Sequence, residues 1–178
     1  HSRQLKLPNK IFLVGLPGSG KSTFGNSLAQ EINRRFIDLD DEIVGNQNRS
    51  IPEIFKVEGE DHFRIIEREN LHKVVKKNDE FLLATGGGTA CFFDNMEFMK
   101  TNGFVIFLNS NIEDIVNRVL AKKDSRPLIE KVKNENMISN LKELHKKRLP
   151  HYMKAHMVLD HHDINLEVAL EKLLKIKS

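Results

Sequence analysis

The stretch IFLVGLPGSGKSTFGNSLAQEI, residues 11–32, decides the architecture. Its first four residues are apolar without alternation and stop at a glycine, the pattern of a short strand buried on both faces of a parallel sheet. From Lys21 the apolar positions Phe24, Leu28, Ala29 and Ile32 recur at helical spacing. Between strand and helix, Gly15 to Ser22 fits G-x-x-x-x-G-K-S. Glycines let a backbone curl until its N–H groups converge on phosphate oxygens. A helix opening at Lys21 points its positive end at the same anion. The unit reads as a phosphate cradle for ATP, with Gly18, Ser19, Gly20, Lys21, Ser22 and Thr23 as nucleotide contacts. Lys21 is expected to reach the β and γ phosphates, and the Ser22 hydroxyl to ligate Mg²⁺.

Outward from this unit, apolar runs at 35–40, 81–85, 104–108 and 156–160 read as further strands. Residues 51–77 read as mostly helical, and helices are expected over 111–123, 134–148 and 164–176. Strands alternating with helices give an α/β class with a mostly parallel, doubly wound sheet. The 178 residues show no internal repeat or linker, so 1–178 is expected to be a single domain. Apolar residues at 39% and charged residues at 30% exclude a disordered or fibrous chain. The longest apolar runs are too short for a bilayer, and no secretory-leader pattern is visible, so a cytoplasmic location is the expectation. The single cysteine, Cys91, excludes an intrachain disulfide and fits a reducing compartment. The net charge of +3 suits an anionic small substrate. The lysine pairs at 76–77, 122–123 and 146–147 are interleaved with acids and read as solvated faces, so neither a nucleic-acid nor a membrane partner is expected. The eight histidines and Cys91 show no paired metal-ligand spacing.

Asp38 and Asp40 stand two apart in IDLDD. On an extended strand they share a face and can point together at the C-terminal edge of the sheet, where open α/β sheets bind ligands. One could hold Mg²⁺ and the other accept a proton from a hydroxyl, while capping of the following helix by Asp40 stays equally open. Gly86, Gly87 and Gly88 end a strand and either admit a ligand close to the backbone or make a turn needing positive φ. Arg64 and Arg148 are weak signals alone. Arg126 sits where a mobile lid could carry an arginine to a transferring phosphate, or simply in a charged loop.

Taken together, GLPGSGKSTFG (15–25), FIDLDDEI (36–43), SIPEIF (50–55), GEDHFRIIE (59–67), GGG (86–88), RPL (126–128) and KRLPHY (147–152) resemble the shikimate kinases in content and order. The resemblance implies a P-loop kinase fold: a five-stranded parallel sheet of order 2-3-1-4-5, flanked by helices, with a mobile lid at about 122–136. It implies ATP- and Mg²⁺-dependent phosphorylation of the 3-hydroxyl of shikimate, on the route to chorismate and the aromatic amino acids, by a monomer. Lys21, Asp40 and Arg126 match the catalytic positions, and Ser22 and Asp38 the metal positions. Arg64, Arg148 and Gly86 to Gly88, with Asp40, match the shikimate pocket. Arg118 and Arg126 match the nucleotide side, with Arg118 against adenine. Glu67 matches a residue near the substrate whose part is to orient Arg64. Another small-molecule kinase of the same fold, acting on gluconate or a nucleotide, is the nearest alternative, followed by a regulatory module that has kept the cradle and lost catalysis.

Overall fold

In the computed structural model the described residues are 7–121 and 129–176. The five strands are β1 (Lys10–Val14), β2 (Phe36–Asp38), β3 (Phe81–Ala84), β4 (Phe104–Asn109) and β5 (Met157–Asp160). They form one sheet in the order β2-β3-β1-β4-β5, with every pairing parallel. This is the expected order. Ile11 to Val14 on the central strand are wholly buried because helices cover both faces. Alternation along β1 sorts the core in two. Ile11 and Leu13 face the layer of α1 (Lys21–Glu31) and α8 (Leu166–Leu174), whereas Phe12 and Val14 face the remaining helices. Gly25 lets α1 settle on the sheet, since a Cβ there would stand 2.9 Å from Leu13 and 3.0 Å from Phe36.

Residues 51–77 are mostly helical as expected, in two helices, α3 (Ile51–Glu58) and α4 (Glu60–Lys77), because Gly59 takes φ 84° and ends one while opening the other. Three local expectations need correction. The second strand stops at Asp38 and α2 (Leu39–Gln47) begins at once, so Asp38 and Asp40 do not share a strand face. A short helix, α5 (Asn95–Asn102), lies between β3 and β4 where none was expected. It buries only Asn95, Met96 and Met99, and a polar segment with so narrow an apolar stripe gives little periodicity to read. The last long helix, α7 (Ile129–Tyr152), continues beyond Arg148 with Pro150 in its final turn. Between β4 and α7 lies α6 (Ile112–Ala121). Because α7 opens at Ile129, the later part of the expected lid is helical. The rest, 122–128 with Arg126, lies outside the described residues.

Candidate active site

The site lies along the C-terminal edge of β1, β2 and β3. Gly18 and Gly20 take φ of 79° and 91°, left-handed values that cost a side-chain-bearing residue, and Gly20 is the N-cap of α1. No acidic residue occupies the first turn of α1, so its positive end is free for an anion. Ser22 and Thr23 are exposed on that turn. Ser110, just past β4, donates to the Ser19 carbonyl at 2.7 Å and ties the loop to the sheet. Lys21 is 8% exposed and folds back on the loop, donating to the carbonyls of Gly15 (2.7 Å) and Leu16 (2.8 Å). Burial lowers its pKa to about 8, against the pull of Asp40 and Asp38. Arg118 on α6 is exposed; it donates to the Gly18 carbonyl at 3.2 Å and lies across Gly20.

Beside this loop stand the two aspartates. Asp38, at the end of β2, is the cap of α2, accepting from the Asp41 amide at 3.2 Å. Its other oxygen accepts from the Ser22 hydroxyl at 2.7 Å. Asp40 therefore has no capping duty, and it sits half-buried in the first turn of α2. Burial, then the nearby carboxylates of Asp38 and Glu67, raise its pKa to about 6, with Lys21 opposing. A carboxylate so tuned is placed well for proton acceptance near neutrality.

The facing wall is the loop after β3. None of Gly86, Gly87 and Gly88 has positive φ, so it is the available space, not a left-handed turn, that requires glycine there. A Cβ on Gly86 would meet Asp40 and Glu67 at 3.1 Å; one on Gly87 would strike the Pro17 ring at 2.5 Å. Arg64 on α4 is 7% exposed and donates to Glu67 at 3.0 Å. Glu67 is buried and also accepts from the Thr89 hydroxyl at 2.9 Å, which in turn accepts from the Gly86 amide at 2.9 Å. The expected orienting part of Glu67 thus extends to the glycine loop. Burial pushes its carboxyl pKa up, while Arg64 holds it down. Arg148 reaches the same loop from α7, with Nη1 3.1 Å from where a Gly87 Cβ would stand. Tyr152, one turn further along α7, is fully buried and donates to the Gly87 carbonyl at 2.5 Å. Cys91 is half-buried behind the loop, and burial raises its thiol pKa.

The structure thus brings Lys21, Asp38, Asp40, Arg64, Gly86 to Gly88 and Arg148 together from α1, β2, α2, α4, α7 and the loop after β3. Sequence reading gave no part to Pro17, Thr89 or Tyr152. Thr89 directly follows the glycines and Tyr152 closes KRLPHY, but their contacts are long-range and no local pattern encodes them. A cavity of about 810 Å³ opens beyond the C-terminal ends of β4 and β5. It is lined by Asn109, Ser110 and Asn111 at the end of β4, Lys142 and His145 of α7, and His161 and His162 after β5.

Comparison with known proteins places this geometry. A family model described as shikimate kinase matches residues 17–177. The shikimate kinase of Parabacteroides distasonis is 40% identical over 151 residues, covering 85% of this chain and 87% of that protein. The crystal structure of shikimate kinase from Bacteroides thetaiotaomicron aligns with TM-score 0.84 at 33% identity, covering 95% of this chain and 99% of that one. A shikimate kinase from Acinetobacter baumannii, solved in complex with shikimate, aligns with TM-score 0.79 at 34% identity over 97% of each chain. The family model covers the cradle from Pro17 onward, the glycine loop, Arg64 and Arg148, and the chain belongs to the shikimate kinase family.

Proposed function

We propose that this chain transfers the γ-phosphoryl group of ATP to the 3-hydroxyl of shikimate, with the pocket between the cradle and the glycine loop as the place of transfer. The observation that carries the reading is the paired geometry at one sheet edge: an anion cradle around Lys21, and across from it a glycine loop lined by Asp40, whose pKa is about 6, at Gly86, by Arg148 at Gly87 and by Arg64 at Gly88. Shikimate is a carboxylate bearing hydroxyls. Arg64 and Arg148 hold its carboxylate, since the planar guanidinium fork pairs with two oxygens at once. Asp40 accepts hydrogen bonds from its hydroxyls and takes the proton as the 3-oxygen attacks. The glycines bring backbone close to the ring. On the donor side Lys21 leaves the Gly15 and Leu16 carbonyls for the phosphates, and the amides of residues 18–23 complete the cradle. Arg118 lies at the nucleoside end, and the part expected of Arg126 falls outside the described residues.

Ser22 and Asp38 fit a Mg²⁺ site. They place one hydroxyl and one carboxylate within 2.7 Å of each other, a sparse oxygen set of the kind Mg²⁺ takes when phosphates and water complete its shell. Among the described residues no group of three His, Cys, Asp or Glu side chains offers a fuller cage. When bound, the ion neutralises charge on the β and γ phosphates. We further propose that the enzyme works as a monomer in the cytoplasm; no described helix is long and apolar enough to cross a membrane. Sedimentation at micromolar concentration checks the first point.

The test is ADP release from Mg-ATP with and without shikimate, against gluconate and nucleoside monophosphates. Turnover that depends on shikimate alone is expected. Release indifferent to shikimate, or driven by gluconate or a nucleotide, overturns the reading.

A further inference from the structure

Two arginines on one face of α4 stack on two consecutive phenylalanines of the segment between the glycine loop and α5. The Arg64 guanidinium carbon lies 4.1 Å from the centre of the Phe92 ring and 5.2 Å from that of Phe63. One turn on, the Arg68 guanidinium lies 4.4 Å from the centre of the Phe93 ring. Phe93 takes φ 51°, a left-handed value that costs a bulky residue, and stays 56% exposed. Strain and exposure together mark a residue held there by its partner rather than by the core. The segment is closed from behind by Asn95, fully buried, which donates to the Thr89 carbonyl at 2.9 Å.

The geometry points to Phe92 as a positioning residue for the acceptor site, one that fixes the plane of the Arg64 guanidinium, with the Arg68–Phe93 pair fastening the segment that carries it. Glu67 engages Nη1, and the exposed Glu60 reaches Nη2 at only 3.5 Å. Arg64 Nε is buried and has no partner among the described residues. Two anchors on the outer nitrogens leave the plane free to tilt about the line through them. A ring face against the guanidinium removes that tilt, as does the Gly88 backbone, where a Cβ would stand 2.5 Å from Nη1. Planar pairing with a carboxylate needs that plane set beforehand, so the stack acts on acceptor affinity and leaves the transfer step alone.

This inference rests on Arg64 holding the acceptor's carboxylate, and the experiment separates the two claims. Steady-state constants are measured for Arg64→Lys, Phe92→Leu, Phe92→Tyr and the double variant Arg64→Lys/Phe92→Leu. Leucine keeps the apolar volume and loses the ring face. The shikimate KM should rise about three- to tenfold in Phe92→Leu, with kcat and the ATP KM unchanged. Phe92→Tyr should restore it, and Phe92→Leu should add nothing once Arg64 is lysine. If Phe92→Leu loses the cooperative melt of the parent, Phe92→Met takes its place with the same expectations. A raised shikimate KM in Arg64→Lys beside an unchanged one in Phe92→Leu overturns the stack alone. An unchanged KM in Arg64→Lys overturns the role of Arg64 and the stack with it. Equal losses in both substrates' KM values also overturn the stack, because they mark a general structural role.

Discussion

Asp40 shows how one residue's surroundings set both a reaction and its cost. Its pKa in the fold is about 6, above the ordinary 3.8, because burial and the neighbouring carboxylates of Asp38, Glu67 and Asp41 disfavour its charge. In the proposed mechanism the ionised form accepts the proton, so kcat/KM for shikimate should rise with pH through about 6 and level off above it. The sign for stability is opposite. Between about pH 4 and 6 the folded chain holds a proton that the unfolded chain has released, so stability falls as pH rises across that window. Above pH 6 the charged Asp40 costs roughly 1–3 kcal/mol, two pKa units being the upper limit. Asp40→Asn should therefore melt higher than the parent at pH 7.5 while kcat falls by about 10² or more. A lower melting temperature with near-normal kcat would show that Asp40 serves only to hold α2. Lys21 invites a simpler test. Lys21→Met should reduce transfer by about 10²–10³ with the circular dichroism spectrum unchanged, since its bonds to the Gly15 and Leu16 carbonyls concern the loop and not the core. Arg148→Ala should mainly raise the shikimate KM, and an effect confined to ATP would place Arg148 in the wrong pocket.

Among the elements, the segment after β3 carries the sharpest expectation. Gly88 has φ −96° and ψ −8°, values that alanine adopts without strain. Gly88→Ala should leave the melting temperature nearly unchanged and yet lower kcat/KM for shikimate by roughly tenfold or more, because the new methyl group must displace the Arg64 guanidinium. A marked loss of stability instead would mean that the backbone, not the arginine, gives way. How far sequence reaches is visible in the same segment. Three glycines at a strand end announced a site, and strand, cradle and helix were legible at 11–32 because each obeys a local rule of period or turn chemistry. The reason for the glycines was not legible. It lies in Pro17, Arg64 and Glu67, between 19 and 70 residues away in the chain. The two-apart spacing of Asp38 and Asp40 singled out neighbours of the cradle, but the shared strand face it rested on does not exist. A three-residue strand turned into a helix at once, and capping fell to Asp38, not Asp40. α5 and the break at Gly59 were hidden because short helices with few buried positions leave little periodic trace.

At the scale of the molecule, the sheet places the site. Parallel pairing brings the C-terminal ends of β1, β2 and β3 to one edge, so the cradle, the aspartates and the glycine wall meet although α1 to α4 separate them in sequence. Metal removal should be felt on the donor side of this edge. Chelation should abolish turnover without changing the far-ultraviolet dichroism, because the described structure needs no ion to close its core. The Pro17 ring of the cradle lies against the Gly87 backbone of the glycine loop, so the two proposed substrate sites share a single wall. A shared wall makes their affinities a matter of linkage: whatever factor a non-hydrolysable ATP analogue applies to shikimate's dissociation constant, shikimate must apply to the analogue's. Calorimetric titration of each ligand in the presence of the other measures that factor, and Pro17→Ala, which empties the wall, should bring it toward one.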